Sequence, residues 1–166
     1  MSNRPTPIKP GPGQESVWDY PRPPRIEPVT QHIVIVFNGV TLADTTRAYR
    51  ILETSHPPTY YLPTADIQMQ YIRPAQGNSF CEWKGQAVYY TVEVNGRRAE
   101  KVAWGYPTPT APYRDLKDHL GFYAAPFDSV TIAGEQVTPQ PGNFYAGWIT
   151  SNIVGPFKGI PGSWGW

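Results

Sequence analysis

Asn-Gly falls twice between runs of β-branched and aromatic residues, and few local signals restrict a fold more tightly. At Asn95-Gly96 the flanking runs are 87–94 (A-V-Y-Y-T-V-E-V) and 97–106. A type I′ turn needs φ > 0 at both central positions, which Asn and Gly tolerate, so each site predicts a two-residue β-hairpin. Such a turn also sets the register. Val94 then faces Arg97, Glu93 faces Arg98, Val92 faces Ala99, Thr91 faces Glu100, Tyr90 faces Lys101 and Tyr89 faces Val102. Glu93–Arg98 and Tyr89–Val102 are cross-strand pairs worth about 0.2–1 kcal/mol each. Val88, Tyr90, Val92 and Val94 share one face, and Tyr89, Val102 and Trp104 the other, so both faces are expected to be covered. Asn38-Gly39 repeats the design between 33–37 and 40–43, with Ile33, Ile35, Phe37, Val40 and Leu42 on one apolar face. A third hairpin is expected around Ala133-Gly134.

Proline and glycine set the spaces between these hairpins. With 20 prolines and 15 glycines the fold must be rich in loops, and aromatic residues at 14% must supply much of its order by ring packing. The 166 residues fit one domain. The expectation is a mainly β fold, a compact single-domain antiparallel β barrel or sandwich with one or two short helices. Its expected parts are a Pro-rich N-terminal arm (1–31), a β core domain (32–141) and a Gly/Pro/aromatic C-terminal tail (142–166). Val17-Trp18-Asp19-Tyr20 is expected to dock on the domain or on a neighbouring subunit, and the terminal arms offer a route to a homodimer. Residues 44–54 read as a helical turn followed by a strand, 59–62 and 69–73 as strands, 64–66 as a cap or turn, and 76–79 as a loop. Leu116, Leu120 and Tyr123 stand at i, i+4 and i+7, which predicts a helix over 113–123 closed near Gly121. Residues 149–154 read as a final strand, with the chain beyond Gly155 packed only locally.

Several function classes are excluded. A net charge of +1 with 16% charged residues lacks the basic excess of a general nucleic-acid binder, so no nucleic-acid partner is expected. No apolar run reaches the roughly 18 residues of a membrane helix, and no membrane partner is expected. The opening M-S-N-R-P-T-P lacks the apolar core of a signal peptide, which makes cytoplasmic residence the expectation. The single cysteine, Cys81, rules out an internal disulfide and any Cys₂ zinc site. His32, His56 and His119 stand in unrelated contexts, so neither a metal nor a cofactor is expected. Nothing matches a P-loop, a Rossmann glycine pattern or a nucleophile elbow. Asp115 and Asp118 read as a solvated face.

Five residues carry the chemistry that remains. Cys81 lies near Lys84, whose ammonium would lower a thiol pKa, and is the candidate nucleophile; most free cysteines are instead small buried hydrophobes. Arg47, Glu53, Lys84 and Glu100 are charges set among apolar or aromatic neighbours. Buried charges must be paired, and a paired Arg and Glu under aromatic walls suits a small-ligand site as well as a structural ion pair.

The strings F-N-G-V-T-L-A-D-T-T-R-A, L-E-T-S-H-P-P-T-Y-Y-L-P, C-E-W-K-G-Q-A-V-Y-Y and A-W-G-Y-P resemble a bacterial family, the domain of unknown function family 427. The likeness runs from about residue 36 to 123, and C-x-W-K-G-x-A-x-Y-Y is its most specific part. It implies a compact, mostly β domain. It carries over Arg47, Glu53, Pro57, Tyr60, Tyr61, Cys81, Trp83, Lys84, Gly85, Tyr89, Tyr90, Glu100, Trp104 and Pro107, with no mechanism attached. A nucleotidyltransferase label sometimes given to the family needs a paired-Asp metal site beside a Gly-Ser turn, and the chain has neither.

The leading expectation is a soluble domain binding a small, anionic ligand. Tyr60, Tyr61, Trp83, Tyr89 and Trp104 would form the walls, Arg47 or Lys84 would orient the anion, and Glu53 and Glu100 would complete the site. The alternatives are an enzyme using Cys81 or a carboxylate, and a structural or protein-interaction module working through its terminal segments.

Overall fold

The computed structural model describes residues 4–166, so residues 1–3 of the N-terminal arm lie outside the described part. The strands are β1 (Glu15–Ser16), β2 (Arg25–Val29), β3 (Ile33–Phe37), β4 (Val40–Thr45), β5 (Ala48–Leu52), β6 (Thr59–Pro63), β7 (Ile72–Cys81) and β8 (Gly85–Val94). They continue as β9 (Arg97–Gly105), β10 (His119–Phe122), β11 (Ser129–Ile132), β12 (Glu135–Gln136), β13 (Thr138–Pro139), β14 (Trp148–Ile149) and β15 (Ile153–Val154). Seven form one antiparallel sheet in the order β2-β5-β6-β10-β9-β8-β7, and four form a second, β12-β11-β3-β4. The fold is mainly β and sandwich-like, without barrel closure. Helical structure among the described residues is confined to short 3₁₀ turns.

Period-2 alternation divides the large sheet into two apolar faces. Tyr60, Leu62, Val92, Val94, Ala103, Leu120 and Phe122 face the small sheet and bury Ile33, Ile35, Phe37 and Leu42 between the layers. Their neighbours Tyr61, Ala87, Trp104, Tyr106 and Ile51 form a second cluster on the outer face, capped by Tyr113 and Leu116 of the Ala111–Leu116 turn.

The Asn-Gly hairpins form with φ of 48° and 78° at Asn38-Gly39 and 48° and 84° at Asn95-Gly96. Val94↔Arg97, Glu93↔Arg98 and Val92↔Ala99 pair as the turn dictates. A bulge then shifts the register, so that Tyr90 meets Ala103 and Tyr89 meets Trp104 rather than Lys101 and Val102. At the bulge Lys101 takes a φ of 53°, and its N–H donates to Thr91 Oγ1. Val102 thereby turns into the inter-sheet core.

Other expectations are corrected. The helix over 113–123 is a 3₁₀ turn followed by β10, inserted between β6 and β9. Its apolar spacing mimicked a helix, but Leu120 and Phe122 face the core while Gly121 sits against Trp104 on the outer face. Residues 44–54 hold no helical turn: β4 passes directly into β5. Residues 69–73 begin as a 3₁₀ turn, and 76–79 belong to the edge strand β7, where Pro74 is tolerated beside a bulge. The final strand is two short ones, β14 and β15, paired with β13 and β1.

The terminal segments are packed into this scaffold. Within 1–31, β2 extends the large sheet along β5. Val17, Trp18 and Tyr20 dock on the domain, forming a third apolar cluster with Leu52 and Ile153. The chain beyond Gly155 is not packed only locally: Phe157 and Trp166 join that cluster, and Trp18 Nε1 donates to the Pro156 carbonyl at 2.9 Å. Arg50 ties these parts together by ion pairs to Glu15 and Glu27 at 2.8 and 2.5 Å.

Candidate functional site

The outer face of the large sheet forms the floor of a cleft of about 390 Å³. Its floor alternates along the strands: Ile51 from β5, Tyr61 from β6, Cys81 from β7, Ala87 and Tyr89 from β8, and Trp104 from β9. Gly121 makes room for this arrangement, since a Cβ there would lie 2.6 Å from the Trp104 ring. The indole leans against Tyr61 and Tyr123, with centroids 6.0 and 5.2 Å away, and its Nε1 donates to Tyr61 Oη at 3.3 Å. Burial raises the Tyr61 and Tyr106 hydroxyls above the ordinary phenol range, so both are neutral donors at physiological pH.

One wall comes from the loop after β5, which carries Glu53 and His56, and from the turn after β7, which carries Lys84. The C-terminal segment adds Gln140, Phe144, Tyr145, Ala146 and Lys158 to the lining, with Gln140 and Tyr145 against His56. Gly147 brings this segment close, because a Cβ there would lie 2.5 Å from the Pro57 carbonyl oxygen. Trp148 N–H then donates to the Pro58 carbonyl at 2.9 Å. The side chains of Phe80 and Phe144 stay largely exposed at the mouth.

Charge collects at the Glu53–His56 end. Glu53 Oε2 accepts from Arg22 Nε at 3.3 Å and lies 3.6 Å from His56 Nε2. Lys158 Nζ stands over the Tyr145 ring at 5.5 Å and donates to the Trp166 main-chain oxygen at 3.2 Å. Burial, with help from Arg22, lowers its pKa. Lys84 Nζ lies 5.7 Å from the Tyr106 ring centroid, and among the described residues no carboxylate stands within ion-pair distance of it. His56 is pushed down to about 3, first by burial and then by Lys158, Arg22 and Lys84, so its imidazole is neutral.

Of the residues singled out in the sequence, Glu53, Tyr61, Cys81, Lys84, Tyr89 and Trp104 converge on this cleft. The others lie elsewhere. Arg47 is exposed and bonded to Asp66 at 2.7 Å. Tyr60 points into the inter-sheet core and stacks on Trp148 at 5.1 Å. Trp83 is half-buried against the outer cluster without lining the cleft. Glu100 borders a second cavity of about 360 Å³ on the far side of Tyr123 and Tyr145. Sequence reasoning missed His56, Tyr106, Gln140, Tyr145 and Lys158. His56 carried a readable signal, three residues after Glu53 and immediately before Pro57-Pro58; the C-terminal residues carried none, because only tertiary packing places them. Among the described residues no group of three His, Cys, Asp or Glu side chains is gathered as a metal site.

The family model described as domain of unknown function (DUF427) matches residues 25–133. The chain belongs to this family. No curated protein matches it. The DUF427 match contains the floor of the cleft and the Glu53, His56 and Lys84 wall. Gln140, Phe144, Tyr145 and Lys158 line the cleft from outside the matched DUF427 segment, and Arg22, also outside it, pairs with Glu53 of the cleft. No helix among the described residues is long and apolar enough to cross a membrane.

Proposed function

We propose that the cleft binds a small molecule with an oxyanion group and an aromatic or otherwise apolar body. Lys84 carries this reading: its ammonium faces the cleft with a tyrosine ring for company and no carboxylate beside it among the described residues. A cation held over a ring and partly desolvated attracts an anion more strongly than one in open water. Tyr61, Tyr89, Trp104 and Tyr145 supply apolar surface for the body of the ligand, and a volume of about 390 Å³ suits a single small molecule. Glu53 is held by Arg22, which limits its repulsion of an incoming anion.

Titration of the full chain with benzoate, phenyl phosphate and the neutral benzyl alcohol, followed by calorimetry, tests this. At least one of the two anions is expected to bind about ten-fold or more tighter than the alcohol, and Lys84→Met to weaken that anion about ten-fold, which is about 1.4 kcal/mol. Equal affinity for the alcohol, or an indifferent Lys84→Met variant, would sink the reading.

A further inference from the structure

Gln140 decides which nitrogen of His56 carries the proton. Gly147 N–H donates to Gln140 Oε1 at 3.0 Å, and Gln140 Nε2 donates to the Lys158 main-chain carbonyl at 2.9 Å. Both backbone partners have fixed roles, so the amide has one orientation. Its Nε2 also lies 3.1 Å from His56 Nδ1, which must therefore accept. The imidazole proton sits on Nε2. Glu53 Oε2, 3.6 Å away, is too distant for a good hydrogen bond and already accepts from Arg22. His56 lines the cleft, and its Nε2–H has Glu53 Oε2 at 3.6 Å and no hydrogen bond of normal length among the described residues.

We propose that His56 Nε2–H, as a neutral imidazole, donates a hydrogen bond to the oxyanion of the ligand and is a specificity-determining donor of the cleft. This rests on the anion-binding reading of the same cleft. The surroundings favour a neutral donor over a histidinium. Glu53 and Arg22 face the ring from one side, Lys84 from the turn after β7, and Lys158, Tyr145 and Gln140 from the C-terminal segment. Three of these groups are cations, and the ring is buried among them, so a further positive charge is disfavoured. A neutral donor holds a carboxylate or phosphate oxygen with no change in its own protonation state. The orienting residue, Gln140, lies beyond the family-matched segment, so this tautomer is imposed by the C-terminal flank.

Long-range proton–nitrogen NMR spectra of the wild-type full chain read the tautomer directly, with benzoate and phenyl phosphate as the two oxyanion probes. The expected spectrum shows a neutral ring protonated on Nε2 from about pH 6 to about pH 8. The Nε2–H resonance is expected to move downfield on titration with whichever probe binds. Benzoate affinity, if benzoate is that probe, is expected to change less than about two-fold over this range, and His56→Ala to weaken binding of the probe about ten-fold. An Nδ1–H tautomer, a histidinium in that range, or an Nε2–H signal unmoved by a bound probe would overturn the assignment. The spectra use unmodified protein, so they decide even where His56→Ala fails to fold. If Lys84→Met loses binding while His56→Ala keeps it, the His56 assignment falls and the anion site stands. If neither probe binds the wild type, both fall.

Discussion

His56 is buried before it is charged. Desolvation is the largest influence on its ring, and Lys158, Arg22 and Lys84 add to it, so the folded pKa is near 3 against an ordinary value of 6.5. The sign follows from linkage: between those values the unfolded chain binds a proton that the folded chain refuses. Stability is therefore complete above the unfolded value and is lost as pH falls from about 6.5 toward 3, with a slope of at most about 1.4 kcal/mol per pH unit. Urea unfolding at about pH 7.5 and about pH 5 is expected to show this loss in the wild type and a smaller one in His56→Gln, which has no ring to protonate. Matching losses in the two proteins would assign the effect to other groups. Arg50 makes the complementary point, because its partly buried charge is kept with carboxylates on two sides. The sequence around it, A-Y-R-I-L, has helical spacing at Ala48, Ile51 and Leu52, and nothing local shows that it forms β5 or that Glu15 and Glu27 come to meet Arg50.

At the scale of elements, β10 connects fold and cleft. Four residues enter the sheet between β6 and β9, and alternation alone divides their work. Leu120 and Phe122 fill the inter-sheet core, while Gly121 leaves space for the Trp104 ring in the floor of the cleft. Gly121→Ala would push a methyl into that ring and is expected to cost about 1–3 kcal/mol, the usual range for overpacking. Urea denaturation would measure the loss, and a changed tryptophan emission would report the displaced indole. Unchanged stability together with unchanged emission would contradict the observed packing. The Asn-Gly hairpins were legible because their turns are local. The β8–β9 bulge was not, since Thr91 Oγ1 and the Lys101 N–H meet only once both strands are in the sheet. The expected helix over 113–123 failed for the same reason: spacing of i, i+4 and i+7 also occurs where a turn runs into a strand, and the neighbours β6 and β9 decide between them.

For the whole molecule, the segment after residue 133 belongs to the structure that the family-matched segment begins. Trp148 is almost fully buried, stacks on Tyr60, and donates its indole N–H to the Phe122 carbonyl at 3.0 Å. Trp148→Ala is expected to destabilise the chain by about 3–5 kcal/mol while keeping a single unfolding transition, because the ring lies in the same core as both sheets. Calorimetry or urea unfolding would show this; a small loss, or a second transition, would mean that the C-terminal segment unfolds separately.

The sequence by itself determined the β class, the three hairpin turns, the first pairs of the Asn95-Gly96 register, and a set of residues of which Glu53, Tyr61, Cys81, Lys84, Tyr89 and Trp104 prove to be neighbours. Each of these depends on φ preferences and period-2 alternation, which act over a few residues, or on a string specific enough to resemble a family. Only the tertiary structure decided that Arg47, Tyr60, Trp83 and Glu100 stand apart from that group, and that Gln140, Tyr145 and Lys158 join the lining of the cleft. The C-terminal placements follow from contacts across more than 80 residues of chain, such as Gln140 with His56, and local pattern carries no record of them.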